Sequence, residues 1–244
     1  MHAVVYGTGK WANLLKIKLT SLDVNTIIVG NGPSADYTRS NFPVHKYKQA
    51  LVFIASSTEK HLPDLLNCVI LDPKAVYIEK GFLNEAEKDA AKIWFPKVSK
   101  FILCQYRYSK IFDVLKGYSS DILKVFHNWT VSNSKIEEWV PHIVSIDNFI
   151  RGTTNSYYTN EEGNHKLDPQ SHFNIVFGKE RILETIIETS SENIKINFGI
   201  DNSVVVTSKS GSIYTAVTIQ KEDVLQKQLE DIIKDSENTI LERL

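Results

Sequence analysis

Gly7, Gly9 and Ala12, within the stretch VVYGTGKWA, stand at the spacing G-x-G-x-x-A. Glycines so placed let the backbone turn sharply out of a strand. They bring the unpaired N–H groups of a helix start, and the positive end of its dipole, against a pyrophosphate. Gly7, Thr8, Gly9, Lys10, Trp11 and Ala12 are therefore expected to cradle the phosphates of a dinucleotide. The spacing alone is a weak motif, and it gains meaning only where it follows a strand, opens a helix and starts a βαβ unit. Sites that prefer NAD place an Asp or Glu near the end of the second strand, on the ribose hydroxyls. Here that place is taken by Gly30-Asn31-Gly32-Pro33-Ser34, without a carboxylate. Asn31 is expected beside the ribose, and Arg39 or Lys46 could reach a 2′-phosphate, which inclines the choice between NADP and NAD toward NADP.

The first half of the chain alternates the elements such a turn needs. Residues 3–6 are a short apolar run, and Trp11, Leu14, Leu15 and Leu19 recur at helical spacing over residues 10–22. Strands are expected at 25–29, 50–55, 75–78 and 101–104, and helices from Ser56, Ser57 or Thr58 through Leu66, at 84–95 and at 109–116. Residues 33–47 leave room for only a short helix. This alternation predicts parallel βαβ units in an open sheet covered on both faces. Ligands of such sheets sit at the carboxyl ends of the strands, which gathers Gly7–Gly9, Ser56, Ser57, Glu79 and Lys80 along one edge.

The second half changes character, with a strand expected at 121–132 and a helix at 135–150. Then come period-two runs at 173–177, 194–198, 204–206 and 213–219, joined by Gly or Asn turns as in an antiparallel meander. Leu225, Leu229, Ile232, Ile233 and Ile240 form one stripe on a last helix. The fold class is α/β: a Rossmann-type doubly wound parallel sheet over residues 1–119, followed by a smaller α+β domain with a mostly antiparallel sheet over residues 120–244, for substrate and oligomerisation.

Bulk properties narrow the function classes. The 244 residues are 42% apolar and 23% charged, enough to bury a sizeable core, and the net charge of −1 gives no general attraction to nucleic acid or anionic membrane. No run approaches the length of a membrane span, and the first residues do not read as a signal peptide, so a cytoplasmic chain is expected. Cys68 and Cys104 read as buried thiols. The histidines and cysteines show no metal-ligand spacing. Asn128-Trp129-Thr130 matches a glycosylation acceptor but lacks a secretory context.

Together the motifs resemble the Gfo/Idh/MocA family of sugar-type NAD(P)-dependent oxidoreductases. After the third strand that family has I-A-T-P-x-x-x-H, to which Ile54-Ala55-Ser56-Ser57-Thr58-Glu59-Lys60-His61 is similar. Its E-K-P is matched by Glu79-Lys80-Gly81. Its D-x-x-x-H, with a glycine about ten residues on, is matched by Glu138-Trp139-Val140-Pro141-His142 and Gly152. The likeness covers roughly residues 2–152. Glycine at 81 in place of proline, Ser145 where many members carry a second acid, and a shorter second domain are its departures.

The resemblance implies hydride transfer between a nicotinamide and the secondary alcohol or ketone of a sugar, nucleotide-sugar or related polyol. His142 would take the hydroxyl proton, with Glu138 one helical turn before it. Lys80 would stabilise the developing alkoxide. Ser56, Ser57, His61 and Glu79 would line the cofactor side, His61 as a packing or capping group. A non-catalytic nucleotide-binding relative, or an imine- or biliverdin-type reductase on the same scaffold, are the alternatives. Val204-Val205-Val206 places at least one valine away from its own core unless the last helix covers it. A homodimer or higher homo-oligomer through the sheet of residues 172–220 is therefore expected.

Overall fold

The computed structural model describes residues 1–79, 85–94, 99–103, 110–115, 122–131, 136–152, 157–158, 165–180, 182–198, 202–218, 223–234 and 242–243. Lys80, Gly81 and Cys104 lie outside them, as does the side chain of Glu138. The chain divides into two compact units, Met1–Cys104 with Leu225–Leu244, and Gln105–Val224.

The first unit holds strands β1 (His2–Tyr6), β2 (Asn25–Val29), β3 (Leu51–Ile54), β4 (Ala75–Glu79) and β5 (Ser99–Leu103), with helices α1 (Lys10–Ser21), α2 (His61–Asn67) and α3 (Glu85–Trp94). These strands run parallel in the order β5-β4-β3-β1-β2. Val4, Val52 and Val76 lie in one row of the register, as do Tyr6, Ile54 and Ile78. The order reverses between β1 and β3, and that junction is where such sheets form a ligand crevice.

Right-handed crossovers put α1 on one face and the connections leading through β3 to β5 on the other. One helix cannot cover its whole face, and Phe53, Ala55, Ala75 and Tyr77 would be left bare. Leu225, Leu229 and Ile232 of a final helix, α6 (Val224–Lys234), pack into that same layer with Ala3, Val5, Leu15 and Leu19. Each fully buried leucine or isoleucine contributes roughly 1.5–3 kcal/mol, so three on one helix suffice to dock it. The cut expected at residue 119/120 therefore differs from the division of the structure, because the last helix returns to the first unit. A short strand at Glu242–Arg243, foreseen by no periodicity, adds antiparallel to β5.

On the opposite face, Leu65, Cys68 and Leu71 pack on Val4, Tyr6, Val52 and Ile54, with Tyr37, Phe42 and Tyr47 beside them. The segment after β2 thus covers the sheet with aromatic rings and one helical turn, Val44–Tyr47, instead of a full helix. The Cys68 thiol donates to the Leu65 carbonyl at 3.0 Å, and burial pushes it up to about 12, so it stays protonated.

The second unit is a six-stranded sheet built from β6 (Ile122–Val131), β9 (Ser171–Phe177), β10 (Ile182–Thr189), β11 (Glu192–Asn197), β12 (Ser203–Ser208) and β13 (Ile213–Thr218); Tyr157–Tyr158 and His165–Lys166 form the small hairpin β7–β8 between β6 and β9. The order is β13-β12-β11-β10-β6-β9, antiparallel throughout except for the parallel pair β6–β9. Helices α4 (Ile111–Leu115) and α5 (Ile136–Arg151) complete the unit. Ile143, Ile146 and Ile150 of α5 pack on Val125, Trp129, Leu183, Ile187, Val204 and Val206. Val204 and Val206 are fully buried, while Val205 points to the opposite face and is half-buried.

Candidate functional site

The turn after β1 is built by contact. Gly7 has φ +123, and a Cβ there would lie 2.6 Å from the Ala55 carbonyl oxygen, so the turns after β1 and β3 are pressed together and only glycine fits. Thr8 enters the segment after β2 because Gly30 and Gly32 leave room for it: a Cβ on either would fall within 2.6 Å of its side chain. The Thr8 carbonyl accepts hydrogen bonds from the Ser34 hydroxyl at 3.0 Å and the Asn13 amide at 3.4 Å. Ala12 is fully buried, as the helix needs where it meets the sheet.

Gly9 differs from Gly7. Its backbone is extended, at φ −75 and ψ 178, and a Cβ added to it would meet nothing within 4 Å. It stands at the N-cap of α1, whose first turn has no side-chain cap and no acidic residue. The first amides of that helix have no partner within it. Lys10 is exposed and Trp11 half-buried beside them. Two buried polar atoms of the adjoining turns, Trp11 Nε1 and Ser56 Oγ, have no hydrogen-bond partner, at a cost of about 1–3 kcal/mol each. Open space, free amides and orphaned donors fit a bound pyrophosphate.

Ser57 donates to the Glu59 carboxylate, and that bond holds the Glu59 carboxyl below the usual range. His61 is fully buried with Nε2 3.0 Å from the Ser56 carbonyl oxygen, so it supports the turn from within. Glu79 ends β4, half-buried, and Asn31 is exposed in the segment after β2. Arg39 donates from Nε and Nη2 to both oxygens of the buried Asp64, at 2.7 and 2.8 Å. Lys46 sits in the helical turn whose Tyr47 packs on His2, at the amino end of β1 and away from the crevice.

In the second unit His142 is half-buried on α5, its ring centroid 6.1 Å from that of Trp139, which stands edge-on to the buried Trp129. At about 100° per residue, Glu138 and His142 share one flank of the helix, and Asp147 and Arg151 the other. That second flank is gripped in a buried network missed in the sequence. Asp147 Oδ1 accepts from the Ser171 hydroxyl at 2.7 Å, Arg151 Nε donates to Ser171 Oγ at 2.7 Å, and His127 Nε2 lies 3.4 Å from Asp147. A carboxylate only accepts, so His127 carries its proton on Nε2, and the Thr185 hydroxyl donates to Nδ1 at 2.9 Å. His127 sits inside an apolar strand pattern that resembles any core position, so only the buried carboxylate facing it reveals its partner.

Burial lowers the His127 pKa, against the opposing pull of Asp147. The folded value then lies below the ordinary one near 6.5, so the unfolded chain binds the proton first. Stability is present above about pH 6.5 and declines as pH falls through it, by up to about 1.4 kcal/mol per pH unit. Urea unfolding at pH 7.5 and 5.5 is expected to show a larger loss in the wild type than in His127→Gln. Equal losses would remove His127 from the acid sensitivity.

No family model and no curated protein matches the sequence. Among solved structures, UDP-N-acetylglucosamine 3-dehydrogenase GnnA from Acidithiobacillus ferrooxidans aligns with TM-score 0.75 at 13% identity, covering 96% of this chain and 88% of that one. The dehydrogenase MviM from Clostridium difficile aligns with TM-score 0.68 at 12% identity, covering 96% and 88%. An oxidoreductase from Agrobacterium radiobacter, solved with NAD+, L-tartaric acid and magnesium, aligns with TM-score 0.67 at 10% identity, covering 99% and 91%. Over nearly its whole length the chain therefore shares the fold of these solved dehydrogenases and oxidoreductases, a Rossmann-type parallel sheet with a separate, mostly antiparallel α+β unit.

Proposed function

We propose that the chain is a nicotinamide-dependent oxidoreductase acting on the secondary alcohol or ketone of a sugar, nucleotide-sugar or related compound. The observation that carries this is the open, uncapped helix start at Gly9, set where the turns after β1 and β3 meet at the reversal of strand order. The backbone amides of residues 9–12 hold the pyrophosphate, and Ser56, Ser57, Asn31 and Glu79 line its surroundings. Bound there, the nicotinamide supplies the hydride acceptor or donor. His142 takes or returns the hydroxyl proton, Glu138 polarises it from the same helix flank, and Lys80 stabilises the alkoxide. The dehydrogenase named for UDP-N-acetylglucosamine among the structural neighbours supports the substrate class. The test is oxidation of UDP-N-acetylglucosamine and a panel of free hexoses with NAD+ and NADP+, followed by reduced-nicotinamide absorbance. Turnover on any of them supports the reading. Tight cofactor binding with no turnover on the panel favours the non-catalytic relative, which Gly81 and Ser145 also suit.

The same reading extends to assembly. The outward face of the second unit's sheet carries a row across all six strands: His172, Phe126, Ile186, Lys195, Val205 and Ala216. Phe126 and His172 stack with centroids 5.4 Å apart. Burying this face against a second copy would make a homodimer, with upward of about 2,000 Å² buried. Light scattering is expected to give twice the 27.7 kDa of one chain at micromolar concentration. A single-chain mass throughout that range would contradict the dimer.

A further inference from the structure

The segment between β2 and β3 carries charges that a dinucleotide's adenosine ribose would meet, and the two beside the strand end, Asp36 and Arg39, are already engaged. Asp36, the first carboxylate after β2, accepts from the Ile28 amide at 2.7 Å and from Lys16 Nζ at 2.7 and 2.8 Å. Lys46 stands at the amino end of β1 with Tyr47 and His2. Arg39 is the cation best placed to turn toward the crevice, since Tyr37, two residues before it, bridges to Val29 at the carboxyl end of β2. Its guanidinium is instead clasped through two hydrogen bonds by Asp64, whose side chain is 1% exposed. What remains at the strand end is neutral: Gly30, Asn31, Gly32 and Ser34, the last donating to Thr8.

We infer that the chain selects a dinucleotide without a 2′-phosphate, and that Asp64 sets this selectivity by holding Arg39 out of reach. The inference rests on the reading that residues 7–12 bind a dinucleotide, and it reverses the NADP preference drawn from the sequence. A 2′-phosphate taken partly out of water needs a cation or several donors. A ribose hydroxyl needs one or two neutral partners, which the Asn31 amide supplies. Recruiting Arg39 to a phosphate would strand the buried Asp64 carboxylate, and an unpaired buried charge is strongly unfavourable. The cation is present but not available. Asp64 is thus a positioning residue, acting through Arg39.

The experiment titrates NADH and NADPH themselves into the purified chain, by nicotinamide fluorescence or calorimetry. The wild type is expected to bind NADH at least about fivefold tighter than NADPH, a gap of about 1 kcal/mol; a smaller ratio, or its reverse, overturns the inference. Asp64→Asn keeps the shape but releases the charge clasp, and is expected to tighten NADPH several-fold while leaving NADH within about twofold. Adding Arg39→Met should cancel that gain, and a gain that survives it would overturn the role of Arg39. Should Asp64→Asn not fold, Arg39→Gln serves in its place: the NADH-to-NADPH ratio is expected to stay put, and a selective loss of NADPH would show Arg39 to be a phosphate ligand after all. Failure to bind either nucleotide is a different result, since it refutes the dinucleotide reading itself.

Discussion

Gly9→Asp is expected to weaken NADH binding by at least about a hundredfold, close to 2.7 kcal/mol, while the protein stays folded. Two facts make the variant informative. The backbone at Gly9 is extended, which any residue adopts, and its Cβ would enter open space, so the substitution costs the fold within about 0.5 kcal/mol. The same open space is where the phosphates would lie, against the uncapped amides of α1. A carboxylate there repels the anion and fills its volume. Gly7 offers no such test, because any side chain would strike the Ala55 carbonyl and unfolding would mask the ligand effect. Calorimetric titration beside a thermal melt separates the two outcomes. Undiminished NADH affinity in a folded Gly9→Asp would show that the helix start does not hold the pyrophosphate.

The second large effect concerns the chemistry. Lys80→Met is expected to lower kcat by at least about a hundredfold with little change in cofactor affinity, because a cation beside a developing alkoxide acts mainly in the transition state. His142→Asn should lower kcat by about 10²–10⁴-fold and remove the neutral-range limb of the pH–rate profile, as expected for a lost general base. His142, beside Trp139 on α5, is half-buried, whereas His61 and His127 are fully buried. Stopped-flow kinetics on whichever substrate of the panel turns over gives both parameters. Wild-type kcat in both variants would remove these residues from the reaction.

Much of the first unit was legible because each strand is a short, continuous apolar run and each turn carries Gly or Ser. The strands at 25–29 and 75–78 and the helix at 10–22 match β2, β4 and α1 within a residue. What escaped did so for physical reasons. The central strand β10 reads ILETIIET, with Thr185 buried toward the core and Ile186 turned outward, so polar and apolar residues do not alternate with the faces. Thr185 is tolerated inside because it pairs with His127. The place of α6 could not be read from its stripe, since an apolar stripe states that a helix is covered and not which sheet covers it. The tight turn between β1 and α1 was legible from Gly7, Gly9 and the strand alternation. The fate of Arg39 was not, because its partner Asp64 is 25 residues away in a helix whose pattern marks Asp64 as surface.

The central claim is that the turn at residues 7–12 receives a dinucleotide's pyrophosphate at the reversal of strand order. A crystal structure of the wild-type chain with NADH tests it most directly. The expected result is a pyrophosphate whose oxygens accept hydrogen bonds of about 2.7–3.2 Å from backbone amides among residues 9–12, with the Gly9 Cα facing it. Pyrophosphate bound elsewhere on the chain, leaving those amides to solvent, would contradict the account.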